Sequence, residues 1–383
     1  MSSPTMNQPD FILVDDNQSM ELMAKQVSNE SIVALDLEAN GMHRYPERVC
    51  LIQLATPNNI YIIDPLSNID MSPICDIIEN SNIEKIMHAV SYDVRCLKRE
   101  WGIKINSLFD PAIAASFLGI KKTGLASVVE EILGIKIDKS KKLQRSDWTV
   151  RPLSSKSLIY AANDVAHLIN LGLELKERLK VIGRYDWVQE EFQRQVTATF
   201  KSTNPEIDFS AVKGGGRVDR SKIPVLRSLS KLRIKYAVLH DKPLYKIFTD
   251  KTLVELSNAD PYVALNCKGL GLFAFAPLDN ELLNAIHRGL QSPPFYMPSK
   301  SRPPIMHPDQ KKRLELLKSW RINMGAELNI DPSLVWPAPS LERIAMDTTL
   351  IKNEINSSEV RRWQVKVFLK NLSAFIQDNG LNR

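Results

Sequence analysis

The chain has 383 residues, 44% of them hydrophobic and 25% charged, which is the balance of a soluble globular protein of two or three domains. No apolar run approaches the roughly 18 residues that span a bilayer, and the polar N-terminus carries no basic-then-apolar leader. Cys50, Cys75, Cys96 and Cys267 form no CxxC pair, so neither a zinc site nor a disulfide framework is suggested, and a cytoplasmic, thiol-reduced protein is expected. Net charge is +6 but uneven: residues 1–205 carry 23 Lys and Arg against 26 Asp and Glu, and residues 206–383 carry 27 against 18. A basic half beside a slightly acidic one points to a polyanion held by one part and other work done by the other, although a merely solvated basic surface gives the same count.

Along the chain, Ser31–Glu38, Val49–Thr56 and Ile60–Asp64 read as successive strands, separated by turns at Asn40-Gly41 and Pro57-Asn58-Asn59. Met71–Asn80 reads as a helix, Glu84–Val90 as a strand, and Ser91 as the cap of a helix reaching Trp101. Ala112–Leu118, Leu125–Leu133 and Ser154–Leu179 read as helices. A three-strand meander followed by alternating helix and strand predicts a mixed sheet flanked by helices over residues 1–205. After the break at Lys213-Gly214-Gly215-Gly216, helical periodicity dominates. Two all-α modules are expected, at 213–290 and 307–383, joined by a proline-rich linker at 291–306. Leu229, Arg233, Ile247, Leu253 and Leu256 match Leu317, Arg321, Val335, Leu341 and Ile344 at a constant offset, the pattern of an internal duplication.

Asp36 and Glu38 end an otherwise apolar strand and, being two apart, share one face. Two carboxylates placed together repel unless a proton or cation stands between them, and oxygen-only ligands favour Mg²⁺ or Mn²⁺ over zinc. A lone Asp-x-Glu is equally the solvated end of an ordinary strand. Tyr160 and Asp164 lie four apart on one helix face, where they read either as a surface pair or as groups that position water on a metal. Asp93 follows a strand end and enters the first turn of a helix, where an acid also complements the helix dipole.

The order DxE, then Asp, then YxxxD resembles the ribonuclease D family, part of the DEDD exonuclease superfamily with a tyrosine in its third motif. Arg48–Ala55 (RVCLIQLA), Leu108–Ala115 (LFDPAIAA), Ser146–Ser154 (SDWTVRPLS) and Tyr160–Val165 (YAANDV) carry the resemblance further, and residues 217–290 and 308–380 resemble HRDC modules. The first motif departs from the pattern: it reads DLEAN, so Leu37 and Ala39 differ beside the acids. The first helical segment has Leu232-Arg233 where the second has Trp320-Arg321.

The resemblance implies a ribonuclease H-like α/β catalytic domain and a 3′→5′ exoribonuclease. It would use two Mg²⁺ or Mn²⁺ ions to release 5′-mononucleotides, with transfer-RNA precursors or other RNAs with free 3′ ends as substrates. Asp36 would bridge both ions, Glu38 and Asp164 would hold one, Asp93 would support the other, and Tyr160 would orient water. Lys136, Lys139, Lys141, Lys142 and Arg145, ahead of Trp148 and Arg151, read either as an exposed charged loop or as a guide for the phosphate backbone. Within that stretch Lys141, Lys142, Arg145 and Arg151 are the candidate RNA contacts. Tyr92 and Trp148 read as core, with base stacking as the alternative, and His88, Trp320 and Trp363 as packed. A monomer is expected. A 3′→5′ DNA exonuclease and a non-catalytic RNA-binding scaffold are the competing readings.

Overall fold

The computed structural model describes residues 9–137, 140–197, 212–274, 277–294 and 306–381. Six strands form one mixed sheet: β1 (Ile12–Val14), β2 (Ile32–Ala39), β3 (Val49–Ala55), β4 (Ile60–Ile63), β5 (Glu84–Ile86) and β6 (Leu108–Phe109), in the order β1-β4-β3-β2-β5-β6. The expected meander is present, with β2, β3 and β4 antiparallel to their sequence neighbours; β1, β5 and β6 add in parallel. Every residue of β3 is buried, as befits a strand that is apolar but for Gln53 and is covered on both faces.

The helices of this half are α1 (Asn17–Val27), α2 (Ser72–Glu79), α3 (Ser91–Trp101), α4 (Pro111–Phe117), α5 (Leu125–Leu133), α6 (Lys141–Gln144), α7 (Ser155–Ala166), α8 (Leu168–Val181) and α9 (Tyr185–Thr197). Several boundaries differ from the sequence reading. β5 stops at Ile86, because Ala89 turns into the left-handed region (φ 56°) before α3 begins. Ser91 is the first residue inside α3 and caps nothing; its hydroxyl donates to Gln195 on α9 at 2.8 Å. The single helix read over 154–179 is two, broken at His167, so that α7 lies on β3 and β4 while α8 crosses to β2 and α4.

The C-terminal half is helical: α10 (Ile223–His240), α11 (Leu244–Ile247), α12 (Asp250–Asn258), α13 (Pro261–Ala264) and α14 (Leu278–Gln291), then α15 (Pro308–Glu327), α16 (Pro332–Val335), α17 (Ala338–Met346), α18 (Ile351–Glu354) and α19 (Arg362–Asp378). The helices α16 and α17 repeat the lengths of α11 and α12 at the offset that aligns Leu244 with Pro332 and Asp250 with Ala338. The matched residues Leu229, Leu253 and Leu256, like Leu317, Leu341 and Ile344, are all buried.

The two segments attach differently. The first has its own core around Leu229, Phe248 and Leu282. It meets the α/β half through polar contacts: Tyr245 Oη donates to the Met42 carbonyl at 2.8 Å, and Arg44 pairs with Asp241 at 3.0 Å. The second segment shares a continuous core with α4, α8 and α9. There Trp363 stacks on Trp187 with centroids 5.0 Å apart, and Arg361 pairs with Glu191 at 2.9 Å. Trp363 thus lies at a junction, whereas Trp320 is interior to its own segment, its indole N–H donating to Asn371 at 2.6 Å. Most of the expected proline-rich linker, residues 295–305, lies outside the described residues.

One charge is fully enclosed. Lys85 on β5 is 0% exposed, and its Nζ donates to the carbonyls of Asn80 and Ile83 at 2.6 Å each. Burial holds its pKa down to about 8 from 10.5. Between these two values the unfolded chain binds a proton that the folded chain has released, so this group's penalty is fully present below pH 8 and is relieved as pH rises toward 10.5. Relative to Lys85→Met, the wild-type chain should therefore gain about 2 kcal/mol between pH 7.5 and 9.5. Urea unfolding of both proteins at both pH values measures the gain, and parallel pH profiles would refute it.

Candidate active site

The sheet order places β2 in the interior, between β3 and β5, with its C-terminal half opening at one edge of the sheet. Asp36 stands opposite Gln53 and Glu38 opposite Leu51 on β3; the register then shifts between Glu38 and Ala39, which ends regular pairing beyond the acids. The two carboxylates leave the same face, as strand alternation dictates.

Asp93 comes from α3, the helix that follows the neighbouring strand β5. The turn between β5 and α3 is tied down by Asp110, whose carboxylate accepts from the backbone N–H groups of Ala89 (2.9 Å), Val90 (3.1 Å) and Ala112 (2.8 Å). Asp110 thereby caps α4 and fixes the start of α3, and Asp93 sits buried in the first turn of that helix. This positioning residue escaped the sequence reading. Asp-Pro before a helix signals a cap, but nothing local says that the same carboxylate holds a turn 20 residues upstream.

Tyr160 and Asp164 come from α7, one helical turn apart and both buried. Tyr160 packs in a small apolar layer with Leu51, Ile62 and Trp148, its ring 6.1 Å from the Trp148 ring. Asp36, Glu38, Tyr160 and Asp164 line one open cleft of about 510 Å³, and His88 and the first turn of α5 (Leu125, Ala126, Ser127) line it as well. The α5 N-cap is Gly124, which supplies no side-chain acceptor, so that turn keeps N–H groups suited to an anion.

The acids act on one another. Burial, then Asp36, then Asp110 push the Asp93 carboxyl well above the ordinary carboxylate range. Burial, then the carboxylates of Asp164, Glu38 and Asp36, push the Tyr160 phenol far up, so it stays protonated at neutral pH. The five residues read from the sequence thus share one electrostatic neighbourhood, four on the cleft wall and Asp93 behind it. Among the described residues, no three Asp, Glu, His or Cys side chains are gathered into a ready cage for a cation.

The basic residues divide. Lys141, Lys142 and Arg145 are exposed on and just after α6, whose Gln144 borders the cleft. Lys139 lies outside the described residues, and Lys136 faces Glu130 at 3.8 Å. Arg151 corrects the sequence reading. Its guanidinium clasps the buried Asp64 at 2.5 and 2.7 Å and donates to the carbonyls of Cys50, Trp148 and Val150. Those donors are spent on the protein, so Arg151 ties the Trp148 segment to the sheet. Trp148 is core as expected, whereas Tyr92, also read as core, is exposed, its hydroxyl donating to Glu47 at 2.5 Å.

Comparison with known proteins gives the family of the chain. A family model described as 3′-5′ exonuclease matches residues 11–180. The ribonuclease D of Bartonella henselae is 27% identical, over 96% of this chain and 92% of its own length. That of Pseudomonas paraeruginosa is 30% identical over 66% of this chain and 67% of its own. The chain belongs to the ribonuclease D family. It is a hydrolase of the 3′→5′ exoribonuclease class. The crystal structure of Escherichia coli RNase D, described as an exoribonuclease involved in structured RNA processing, has the same fold, with a TM-score of 0.68 and 21% identity over 96% of this chain and 99% of that one. A protein from Bifidobacterium adolescentis superposes with a TM-score of 0.78 at 22% identity, over 98% of this chain and 99% of that one.

The Arg151 clasp has a measurable consequence. Arg151→Ala leaves Asp64 buried without its counter-charge and should cost about 3 kcal/mol of stability. Thermal or urea unfolding reads this directly. An unchanged melting temperature with weakened RNA binding would restore the RNA-contact reading.

Proposed function

We propose that this ribonuclease D family member removes 5′-mononucleotides one at a time from the 3′ end of RNA, with Asp36, Glu38, Asp93, Tyr160 and Asp164 as its catalytic group. The observation that carries the reading is the shared field of these residues at one cleft: three carboxylates raise the Tyr160 phenol, and Asp36 raises the buried Asp93. Acids this close raise one another's ionisation cost, and an all-oxygen donor set suits a hard divalent cation. The carboxylates of Asp36, Glu38, Asp93 and Asp164 would therefore suit two Mg²⁺ or Mn²⁺ ions. When bound, such ions supply the Lewis acidity that activates water and stabilises the leaving oxygen.

The chain's own groups do the rest. Tyr160, kept protonated, holds a hydroxyl beside Asp164 where it orients the attacking water. The first turn of α5 offers backbone N–H groups to the phosphates of the terminal nucleotides. Lys141, Lys142 and Arg145 guide the strand across the rim through phosphate contacts, which carry no sequence information.

The helical segments at 213–290 and 307–383, joined by the linker at 291–306, act as HRDC-like modules that hold RNA by its backbone. Their excess of Lys and Arg supports this reading. Transfer-RNA precursors with unpaired 3′ tails are the proposed substrates and a cytoplasmic monomer the proposed working form. No helix among the described residues is long and apolar enough to cross a membrane.

The test is a 3′-tailed precursor RNA, and a DNA of the same sequence, incubated with Mg²⁺, Mn²⁺ or chelator. Release of 5′-mononucleotides from RNA with metal, and none with chelator, is expected. Asp36→Asn should lower turnover by at least about 10³-fold while RNA affinity changes little, and Tyr160→Phe should lose less because the acids remain. Wild-type turnover in Asp36→Asn would end the assignment.

A further inference from the structure

Strand β3 reads Val-Cys-Leu-Ile-Gln-Leu-Ala, and all seven residues are buried. Gln53 is its one amide, 0% exposed, and neither the nitrogen nor the oxygen of its side chain has a hydrogen-bond partner. A buried amide with both ends unsatisfied is costly, and an apolar residue of similar length would fill the place without that cost. Packing does not explain the residue.

Its position does. Gln53 is the direct cross-strand partner of Asp36, so the two side chains leave the same face of the sheet side by side. On its other side its partner is Ile62. Ile62 and Leu51, two residues before Gln53, both pack in the layer that holds Tyr160 of α7. The amide therefore lies beneath the cleft, walled off from solvent, with Asp36 beside it. The same layer holds the Trp148 indole N–H, which also lacks a partner and is a donor of the kind an amide oxygen accepts.

We propose that Gln53 is a positioning residue for Asp36: when a divalent cation is bound, its side-chain N–H turns to donate to the Asp36 carboxylate and holds it in the orientation that carries the ion. Direct cross-strand pairing sets the two Cβ atoms about 5 Å apart on one face. A neutral donor suits the task. It can steady a carboxylate without the charge of a Lys or Arg, which would compete with the cation. The inference rests on the metal role proposed above for Asp36.

The test uses the full-length protein and Gln53→Met, which keeps side-chain length and removes both polar atoms. The metal-free variant should melt at or above the wild-type temperature, because an unsatisfied buried amide is gone. Its Mn²⁺ dissociation constant, from electron paramagnetic resonance of free Mn²⁺, should rise about 10–100-fold. At saturating metal, kcat should fall while KM for RNA stays put. A merely structural role would move the melting temperature and leave Mn²⁺ binding alone, and Mn²⁺ affinity equal to wild type overturns the inference.

Asp36→Asn separates the two claims. If the wild-type chain binds Mn²⁺ and Asp36→Asn does not, the metal reading stands whatever Gln53 does. If the wild-type chain binds none, both fall. A crystal structure of the wild-type chain with Mn²⁺ serves without any variant: Gln53 Nε2 within about 3.2 Å of an Asp36 oxygen is expected, and an amide turned away from Asp36 refutes it.

Discussion

Like charges held close in a poorly solvated place are the constraint around which the α/β half is built. Asp36 and Glu38 cannot diverge, because they lie two apart on a strand paired with β3 along both residues and anchored to β5 just before them, at Ile32–Ala34. Asp93 cannot retreat to water, because Asp110 pins the turn ahead of it and α3 carries it into the interior. Asp164 is fixed by α7, whose Tyr160 and Ala161 are packed against the sheet. Each element contributes one or two acids and a large apolar contact. The apolar contacts hold in place an arrangement that electrostatics alone would scatter.

That division explains which parts of the site were legible in the sequence. Asp36 with Glu38 and Tyr160 with Asp164 are set by strand and helix periods, which are local, so spacing alone assigns their faces. Asp93 needed only the prediction of a strand followed by a helix. Arg151 was misread because a basic residue after a basic loop looks like a phosphate contact, whereas its partner Asp64 lies 87 positions earlier and nothing nearby announces it. The Asp110 carboxylate and the Gln53 amide were opaque for the same reason: each owes its meaning to a neighbour brought by sheet pairing or by a turn. At the level of elements, Ile12–Val14 and Leu108–Phe109 are too short to show alternation, and His167 breaks a helix whose apolar pattern runs on through it.

The two helical segments show that similar sequences need not do similar mechanical work. They repeat the same helix order, and buried leucines and isoleucines recur at matched positions. Yet Arg233 donates to Asp250 and the Phe248 carbonyl within the first segment, while its counterpart Arg321 donates to the Pro332 carbonyl in the second. What differs most is the outer surface. The second segment brings Trp363 against Trp187 and Phe117, and Glu190 of α9 accepts from the N–H groups of Arg362 and Trp363 at the start of α19. A helix terminus capped by another element's carboxylate, above a stacked tryptophan pair, makes this segment part of the catalytic half's own core.

The first segment is joined by different physics. Its hydrogen bonds to the loop that follows β2 include one from a tyrosine and the ties of Asp241 to Arg44 and the Tyr45 N–H, all at exposed positions. Exposed ion pairs contribute little and weaken further as salt rises, whereas apolar burial is nearly indifferent to ionic strength. Salt and polyanions therefore act more strongly on the first junction, whose ties are exposed and polar, than on the second, whose ion pair sits on a buried apolar core. Residues 213–290 also hold 13 Lys and Arg against 7 Asp and Glu, compared with 12 against 9 for residues 307–383, so the more basic segment is the one whose attachment is polar. Arg44 divides its guanidinium between Asp241 of that segment and Asp147 of the Trp148 stretch. The loop carrying Arg44 begins where β2 ends, beside the acids. The polar junction is thus continuous, through a few residues of backbone, with the strand that carries Asp36 and Glu38.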